Sequence, residues 1–352
     1  MRRKRCSLVA SLVAHPHDAR VTRPGTGHAG GRLSTRAPFH LEATVRVLQR
    51  RPTNLVETWE RGRYLRVLRT SGDLALVEVE NRGTIDEPDV RYSLRHGDSS
   101  TEAQRRLAQT LRKVLGLDVD PLPLQRIAEA DRKLRPTALA LRGMRPPRFA
   151  GWFEAFANVM PFQQLSLDAG IAIVGRLVER FGQHLEQGGH RFHAFPTARA
   201  VAEARLEALR KCGLSSRKAE SLRNLARAIE SGELTEDRIA AMNTNDALRA
   251  LIELPGIGPW SASLVLLRGL GRLDVFPPGD VGAVRGLSAL MHLGSTASLA
   301  RRVERFGAYR GYLYFCALGG NLVGRGLIHT ASPSRPPAPG PPRRQGSLRP
   351  AE

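Results

Sequence analysis

The feature that most constrains the fold of this 352-residue chain is a glycine turn at residues 254–258, Leu-Pro-Gly-Ile-Gly, which joins two apolar stretches. Apolar residues recur every three or four positions on both sides of the turn, so the sequence predicts helices over residues 246–253 and 259–268. Glycine adopts backbone angles that are closed to other residues, and proline suits the first turn of a helix. The pattern therefore predicts two helices joined by a tight hairpin.

The hairpin also offers backbone amides that suit an anion. Gly258, Trp260 and Ser261 lie at the start of the second predicted helix, where unpaired amides and the helix dipole favour a negative charge. Gly256 lets another backbone come close. These four residues are candidates for binding a DNA phosphate, although an ordinary helix turn explains them more simply when they are taken alone.

A carboxylate follows the hairpin at a short distance. Asp280 stands 22 residues after Gly258, at the end of the sequence Val-Phe-Pro-Pro-Gly-Asp. Aspartate is a preferred N-cap and residues 281–291 have the pattern of a helix, so capping alone explains this residue. The two roles are compatible, because a helix N-terminus favours the ionised carboxylate. Such a group stabilises the positive charge that develops on a sugar when its glycosidic bond breaks.

Together these segments resemble the helix-hairpin-helix DNA glycosylase superfamily, and within it the 3-methyladenine DNA glycosylase II family. The paired glutamines in the loop at residues 161–165 and the Gly-Leu-Ser-x-x-Lys-Ala sequence at 213–219 add to the resemblance, which extends over residues 39–326. The resemblance implies a mainly α fold with a small α+β N-terminal domain and two helical lobes around a cleft. It also implies that Asp280 is the catalytic residue and that the partner is double-stranded DNA with a damaged base.

Two departures from the superfamily's sequence pattern indicate which subtype of glycosylase this chain resembles. Superfamily members that also cleave the DNA strand carry a lysine two positions after the last hairpin glycine, where this chain has Trp260, which cannot form a Schiff base. Cys6, Cys212 and Cys316 are the three cysteines of the chain, one short of the four that hold an iron–sulfur cluster in some branches. We therefore expect a monofunctional glycosylase without lyase activity. It would hydrolyse the N-glycosidic bond of alkylated bases such as 3-methyladenine and 7-methylguanine, in the first step of base excision repair.

Two alternative functions stay open. One is a glycosylase for uracil, hypoxanthine or an oxidised purine, because the residues that would choose the base are not defined by the motifs. The other is a helix-hairpin-helix protein that binds DNA without chemistry. Asp280 argues against the second alternative, since a protein that only binds DNA has no need of a carboxylate there.

Base removal requires that the nucleotide leave the duplex and that the gap be held open. Gln163 and Gln164 in the loop that resembles the family's intercalating loop are the candidate wedge, although a buried helix start explains them equally well. A cationic base stacks well on aromatic rings, but rings at helical spacing are more often part of a core. The candidate stacking residues are the aromatic residues of the hairpin and of the C-terminal helix: Trp260, Tyr309, Tyr312 and Tyr314.

Charge and composition are consistent with a DNA partner in the cytoplasm. The chain has 54 Lys and Arg against 33 Asp and Glu, a formal charge of +21, and the part between its two basic ends is still basic. Such a surface attracts phosphates, although an arginine-rich composition alone explains the charge. No apolar run reaches membrane-spanning length, and the dispersed cysteines suit a reducing compartment. We expect a cytoplasmic monomer that needs no metal or organic cofactor, apart from a monovalent cation at the hairpin as in the family.

The sequence divides into four parts. Residues 1–36 form a basic tail and 331–352 a Pro- and Arg-rich tail, both expected to be disordered. Residues 37–120 are expected to form an antiparallel sheet with a helix, and 121–330 an all-helical body that contains the hairpin motif at 246–268. Strands are predicted at 39–47, 64–68, 74–79 and 90–94 with a turn at 71–73, and helices at 101–117, 167–186 and 197–211, among others.

Overall fold

The computed structural model describes residues 29–70, 73–293 and 296–329, without the side chains of residues 296 and 297. Most of the two predicted tails, and residues 71 and 72 of the predicted turn, lie outside these residues. The prediction that residues 1–36 form a disordered tail is wrong for residues 30–32. Gly30–Arg32 forms an edge strand that pairs with residues 91–93. This pairing gives the backbone groups of a glycine-rich, weakly apolar segment their partners.

An antiparallel sheet of five strands forms the N-terminal domain, in the order β1-β5-β4-β3-β2. The predicted strands at 64–68, 74–79 and 90–94 lie within three of these strands, and most of their apolar side chains are buried. Tyr64 and Val79, for example, are register partners and are both fully buried. The strands are β1 (Gly30–Arg32), β2 (Thr58–Glu60), β3 (Arg63–Thr70), β4 (Asp73–Asn81) and β5 (Val90–His96).

The strand predicted at residues 39–47 is wrong, because Leu41–Gln49 forms helix α1. The alternation of apolar residues suggested one buried face, but the helix is buried on nearly all sides, including Thr44 and Gln49. A two-residue period carries no information about secondary structure when most positions are buried. His40 caps the helix by accepting a hydrogen bond from the Ala43 amide.

The rest of the described chain is largely helical, which confirms a mainly α fold with a small α+β domain. Helix α2 packs on the sheet, and the C-terminal helix α15 packs against α1 and α13. The helices after α1 are α2 (Thr101–Val114), α3 (Pro121–Ala130), α4 (Arg135–Ala140), α5 (Trp152–Ala157), α6 (Leu167–Phe181), α7 (Ala198–Ala202), α8 (Leu206–Lys211), α9 (Ser216–Glu230), α10 (Glu236–Ala240), α11 (Thr244–Ile252), α12 (Pro259–Val265), α13 (Val281–Met291), α14 (Thr296–Arg305) and α15 (Tyr312–Gly324).

The helical body contains one hairpin of strands that the sequence pattern did not predict, β6 (His184–Gln187) and β7 (His190–His193). Gly188 and Gly189, both at positive φ, form its turn. The helix predicted at 167–186 therefore ends at Phe181, and the one predicted at 197–211 is divided into α7 and α8.

A buried cluster of charges joins the sheet to the helical body. Arg66 on β3 forms ion pairs with Glu57, which precedes β2, and with Glu154 on α5. The two contacts of the Arg66 guanidinium with the Glu154 carboxylate are 2.8 and 2.6 Å. Burial lowers the pKa of Arg66, but the carboxylates of Glu154 and Glu57 outweigh burial and raise it well above its ordinary value. This cluster fixes α5, which leads into the loop at residues 161–165 that lines the cleft described below.

Candidate active site

The two hairpin glycines have different structural consequences. Gly256 has a φ of +86°, and a Cβ there would lie 2.6 Å from Ser221 Oγ, so only glycine fits. Gly258 has an ordinary φ of −101°, but no atom lies within 4 Å of where its Cβ would be. Its missing side chain therefore leaves open space in front of the N-terminus of α12, where a ligand backbone could approach.

The predicted phosphate-binding residues lie together on one wall of a cleft. In the described part of the chain, the backbone amides of Gly258, Trp260 and Ser261 have no acceptor. Unpaired amides at a helix N-terminus suit an anion. Gly256 contributes its carbonyl to this wall and Ser261 its buried hydroxyl, and both accept hydrogen bonds from a neighbouring loop.

The cleft has a volume of about 1160 Å³ and lies between the hairpin, the loop at residues 161–165 and the start of α13. The predicted residues that line it are the hairpin residues, the paired glutamines and the carboxylate: Gly256, Gly258, Trp260, Ser261, Gln163, Gln164 and Asp280. Tyr314 also lines the cleft. Residues far apart in the sequence thus meet in a single site.

Both oxygen atoms of the Asp280 carboxylate are held. Oδ1 accepts a hydrogen bond of 2.7 Å from the Ala283 amide, so Asp280 is indeed the N-cap of α13. Oδ2 accepts a hydrogen bond of 2.9 Å from the indole nitrogen of Trp260. Trp260 therefore points its polar edge at the carboxylate. In this position it fixes the orientation of the carboxylate toward the cleft.

We expect that Trp260→Phe will lower the rate of base release about 10-fold to 100-fold, which is the value of a hydrogen bond to a charged group. DNA affinity should stay within about threefold, since the hairpin amides are backbone groups. Single-turnover release from damaged duplex and duplex binding by fluorescence anisotropy measure the two effects.

The matched control is Trp152→Phe. Trp152 is buried on α5, and its indole nitrogen has no hydrogen-bond partner among the described residues. The control substitution therefore removes an indole N–H group without breaking a hydrogen bond. Equal losses of activity in the two variants would show that the indole bond to Asp280 is unimportant.

The paired glutamines have different positions. Gln163 is bound to the hairpin, because its Nε2 donates to Gly256 O at 2.8 Å and to Ser261 Oγ at 2.9 Å. Lys218 Nζ donates to the Gln163 carbonyl at 2.6 Å and holds the loop from the other side. Gln164 is exposed at a φ of +58°. The next residue, Leu165, is 46% exposed although it is apolar. The tip of the loop thus consists of Gln164 and Leu165, whereas Gln163 clamps the loop to the hairpin.

Two of the aromatic predictions are wrong. Tyr312 is buried beside Arg145 and Cys316 on the face of α15 that points away from the cleft, and Tyr309 precedes the helix and packs against the core. Positions two apart on a helix point in nearly opposite directions, which is why Tyr314 lines the cleft when Tyr312 does not. Burial raises the pKa of Tyr314, and the neighbouring Asp280 raises it further while Arg268 opposes the change. Tyr314 therefore presents a protonated hydroxyl beside the carboxylate.

Sequence reasoning missed the floor of the cleft. It is formed by aromatic and cationic side chains from four separate segments: Arg50, Phe149, Phe162 and Arg268. Arg50 and Phe149 lie outside the motifs, whereas Phe162 and Arg268 lie within the paired-glutamine loop and the hairpin motif but were not recognised as cleft residues. Lys218 lay within a motif that we recognised, but its contact with the loop was not foreseen.

Comparison with known protein families is in agreement with this geometry. Residues 158–306 match the model of the HhH-GPD superfamily base excision DNA repair proteins, and residues 31–151 match the AlkA N-terminal domain.

In the described residues no cluster of His, Cys, Asp or Glu has the arrangement of a metal site. No helix of that part is long and apolar enough to span a membrane.

Several named relatives resemble the chain. A DNA-3-methyladenine glycosylase of Bacillus subtilis is 32% identical over 177 residues, which are 50% of this chain and 58% of the relative. DNA-3-methyladenine glycosylase 2 of Escherichia coli is 27% identical over 80% of this chain and 93% of its own length. The solved structure of a 3-methyladenine DNA glycosylase from Archaeoglobus fulgidus superimposes with a TM-score of 0.68 at 27% identity, covering 83% of this chain and 98% of that one.

Proposed function

This chain belongs to the HhH-GPD superfamily of base excision DNA repair proteins, and we propose that it is a DNA glycosylase that removes alkylated bases from duplex DNA. The observation that carries the proposal is the Asp280 carboxylate, held by Trp260 and by the start of α13 at the edge of the cleft that the hairpin lines. The names of the relatives indicate the same substrate class, 3-methyladenine and related bases.

The proposed reaction follows from this arrangement. The hairpin amides hold a DNA phosphate, and the extruded base enters the cleft. The bond between the sugar C1′ and the base nitrogen breaks, and its electron pair leaves with the base. The Asp280 carboxylate stabilises the positive charge on the sugar. A water oxygen then bonds to C1′ and gives a proton to the carboxylate. The product is an abasic site in the DNA.

We also propose that the enzyme is monofunctional. A lyase step needs an amine that attacks C1′, and Trp260 supplies none. Lys218 is the one lysine that lines the cleft within the described part of the chain, and its Nζ donates a hydrogen bond to the Gln163 carbonyl. Burial lowers the pKa of Lys218, which favours its nucleophilic free amine, so Lys218 is the residue that the next experiment must exclude.

Borohydride trapping tests this prediction. Incubation of the protein with damaged duplex and borohydride should give no covalent protein–DNA adduct, whereas a lyase-active glycosylase treated in parallel should give one. Alkali treatment of the same reaction should cleave the strand at the abasic site. An adduct that disappears in Lys218→Met would contradict the monofunctional assignment and identify the amine.

Release of bases from a panel of duplexes, each with one lesion and each product identified by mass, tests the substrate proposal. The panel should contain 3-methyladenine, 7-methylguanine, hypoxanthine, uracil and 8-oxoguanine. We expect release of alkylated bases. Release of uracil or 8-oxoguanine alone would assign a different substrate class to the same site.

The remaining roles follow from the position of each group. Gln164 and Leu165 at the exposed tip of their loop would fill the gap that the extruded base leaves. The Leu254 carbonyl accepts one hydrogen bond from Ile257, and the Gly256 carbonyl accepts one from Gln163. Each carbonyl keeps a second lone pair for the monovalent cation that the family implies.

A single chain carries the whole site, so we propose that it acts as a monomer. The cytoplasmic location stays a prediction from the sequence.

A further inference from the structure

One side chain joins the loop at residues 161–165 to the hairpin. The Gln163 side-chain amide donates to the Gly256 carbonyl at 2.8 Å and to the Ser261 hydroxyl at 2.9 Å. These acceptors belong to the turn and to the first turn of α12, the segments whose backbone amides suit a phosphate. The loop therefore cannot shift along the hairpin without breaking both hydrogen bonds.

Helix α9 supports the loop and the hairpin with one face. Lys218 Nζ donates to the Gln163 carbonyl at 2.6 Å. Ser221 lies beneath the hairpin, where a Cβ on Gly256 would approach its Oγ to 2.6 Å. Residues 218 and 221 are neighbours on the surface of a helix. The same face of α9 thus sets the position of the loop relative to the hairpin.

Phe162 anchors the start of the loop. Its ring packs so closely on the backbone of α6 that a Cβ on Gly170 would overlap it. On the ring lies the guanidinium of buried Arg50, with its carbon 4.5 Å from the ring centre. Arg50 also donates to the Asn158 side chain at 2.8 Å. Contact with an aromatic face stabilises a cation, so Arg50 and α6 together fix the ring.

The tip of the loop, in contrast, points into solvent. Leu165 is 46% exposed, and Gln164 is exposed and has a φ of +58°. A positive φ is uncommon for a residue other than glycine and persists only where the surrounding structure holds it. The anchors Phe162 and Gln163 directly precede these two residues. The structure therefore presents the tip in a fixed conformation before any DNA is bound.

We propose that Gln163 is a positioning residue for base extrusion, because it holds the tip of the loop at a fixed distance from the phosphate-binding hairpin. This inference rests on the proposed glycosylase function. It assigns to Gln163 a role different from that of Gln164, which the sequence could only pair with it as a candidate wedge.

The reason lies in the free energy of extrusion. Removing a nucleotide from the duplex costs its pairing and stacking. The strand must be held at the phosphate while the tip fills the gap. A loop that moved freely would lose conformational freedom when its tip entered the DNA, which weakens the extruded state. The bonds of Gln163 remove that freedom in advance, so their loss should matter only where extrusion is costly.

The test compares one damaged base in two duplexes, 7-methylguanine opposite cytosine and 7-methylguanine opposite an abasic-site analogue, where no pairing is lost. Single-turnover release is measured at saturating protein. We expect Gln163→Met to lower the rate opposite cytosine about 10-fold to 30-fold, the effect of two lost hydrogen bonds. The rate opposite the abasic-site analogue should change less than about threefold. Affinity for undamaged duplex should also stay within about threefold, because the hairpin amides remain.

Two further variants calibrate this result. Leu165→Ala shortens the tip itself and should give the same selective loss opposite cytosine. Gln49→Met is the matched control, because Gln49 is also buried and donates to a backbone carbonyl, that of Glu57 at 2.9 Å, but does not line the cleft. Gln49→Met should leave the ratio of the two rates unchanged.

A double-mutant cycle with Ser261→Ala distinguishes positioning from direct insertion of Gln163 into the DNA. Ser261→Ala removes one acceptor of the Gln163 amide and keeps the backbone amide that suits the phosphate. Alone it should lower the rate opposite cytosine about threefold to 10-fold, the effect of one hydrogen bond. Combined with Gln163→Met it should cause no further loss, since the two residues act through one contact. Multiplied losses would overturn the inference.

The remaining outcomes separate two failures. Circular dichroism shows whether Gln163→Met folds, and if it does not, Lys218→Met removes the bond on the other side of the loop and should change the ratio in the same direction. Equal losses in the two duplexes would overturn the inference and leave the glycosylase function intact. If the parent releases a different alkylated base of the panel, that base replaces 7-methylguanine. A parent that releases no base of the panel would overturn the proposed function itself.

Discussion

Asp280→Asn is expected to abolish base release, with a loss of at least about 100-fold to 1000-fold. The amide has no charge with which to stabilise the sugar cation or to accept a proton from water. Its side-chain oxygen can still accept the hydrogen bond from the Ala283 amide, and asparagine caps helices as well as aspartate does. The variant should therefore fold like the parent. Single-turnover release of 3-methyladenine and 7-methylguanine measures the loss.

DNA binding should separate from catalysis in this variant. The hairpin amides that would hold the phosphate are unchanged, so affinity for a damaged duplex should stay within about threefold or increase slightly, because one negative charge near the DNA is removed. Asp274→Asn is the control, because it makes the same chemical change at a residue that lines a different groove of the protein. Release at the parent rate by Asp280→Asn would contradict the catalytic assignment.

The site was predictable where it consists of local motifs. The hairpin at residues 254–258 and the carboxylate of Asp280 each have a short-range physical signature, a glycine at positive φ and a helix cap, and the structure brings them to one cleft. Their relation through Trp260 was not predictable. A sequence shows that position 260 has no amine, but the indole bond to Asp280 depends on where α13 begins relative to α12.

The floor of the cleft shows where sequence reasoning ends. Arg50 and Arg268 are 218 positions apart in the sequence and meet only after folding. Arginine is normally exposed, so both residues were counted as part of the general basic charge. The helix α1 that carries Arg50 was predicted as a strand, because burial on most sides removed the periodicity that distinguishes the two. Composition therefore does not indicate which polar residues are buried in the site.

Arg66→Met is expected to lower the free energy of unfolding by about 3 to 5 kcal/mol, the second large effect. Removal of one partner from a buried ion pair leaves the others charged without compensation. Here Glu57 and Glu154 would both be left in the interior, since Arg66 pairs with each of them. Burial already raises the pKa of Glu57 in the presence of Arg66. Urea unfolding followed by circular dichroism measures the change.

Arg95→Met is the matched control for this loss. Arg95 also forms two short contacts with one carboxylate, that of Glu78, but it is partly exposed, so its removal should cost less than about 1 kcal/mol. A loss for Arg66→Met no larger than for Arg95→Met would contradict the role of the buried cluster.

The triple variant Glu57→Gln, Arg66→Met, Glu154→Gln shows how far the cluster extends. Replacing a whole buried ion pair often restores stability, because no charge is left unpaired. We expect restoration to be incomplete here, since the two carboxylates also offset the charges of Arg50 and Arg268 in the adjacent floor. Complete recovery would mean that the three residues act alone. Incomplete recovery would mean that the carboxylates that join the sheet to the helical body also stabilise the charges of Arg50 and Arg268 in the floor of the cleft.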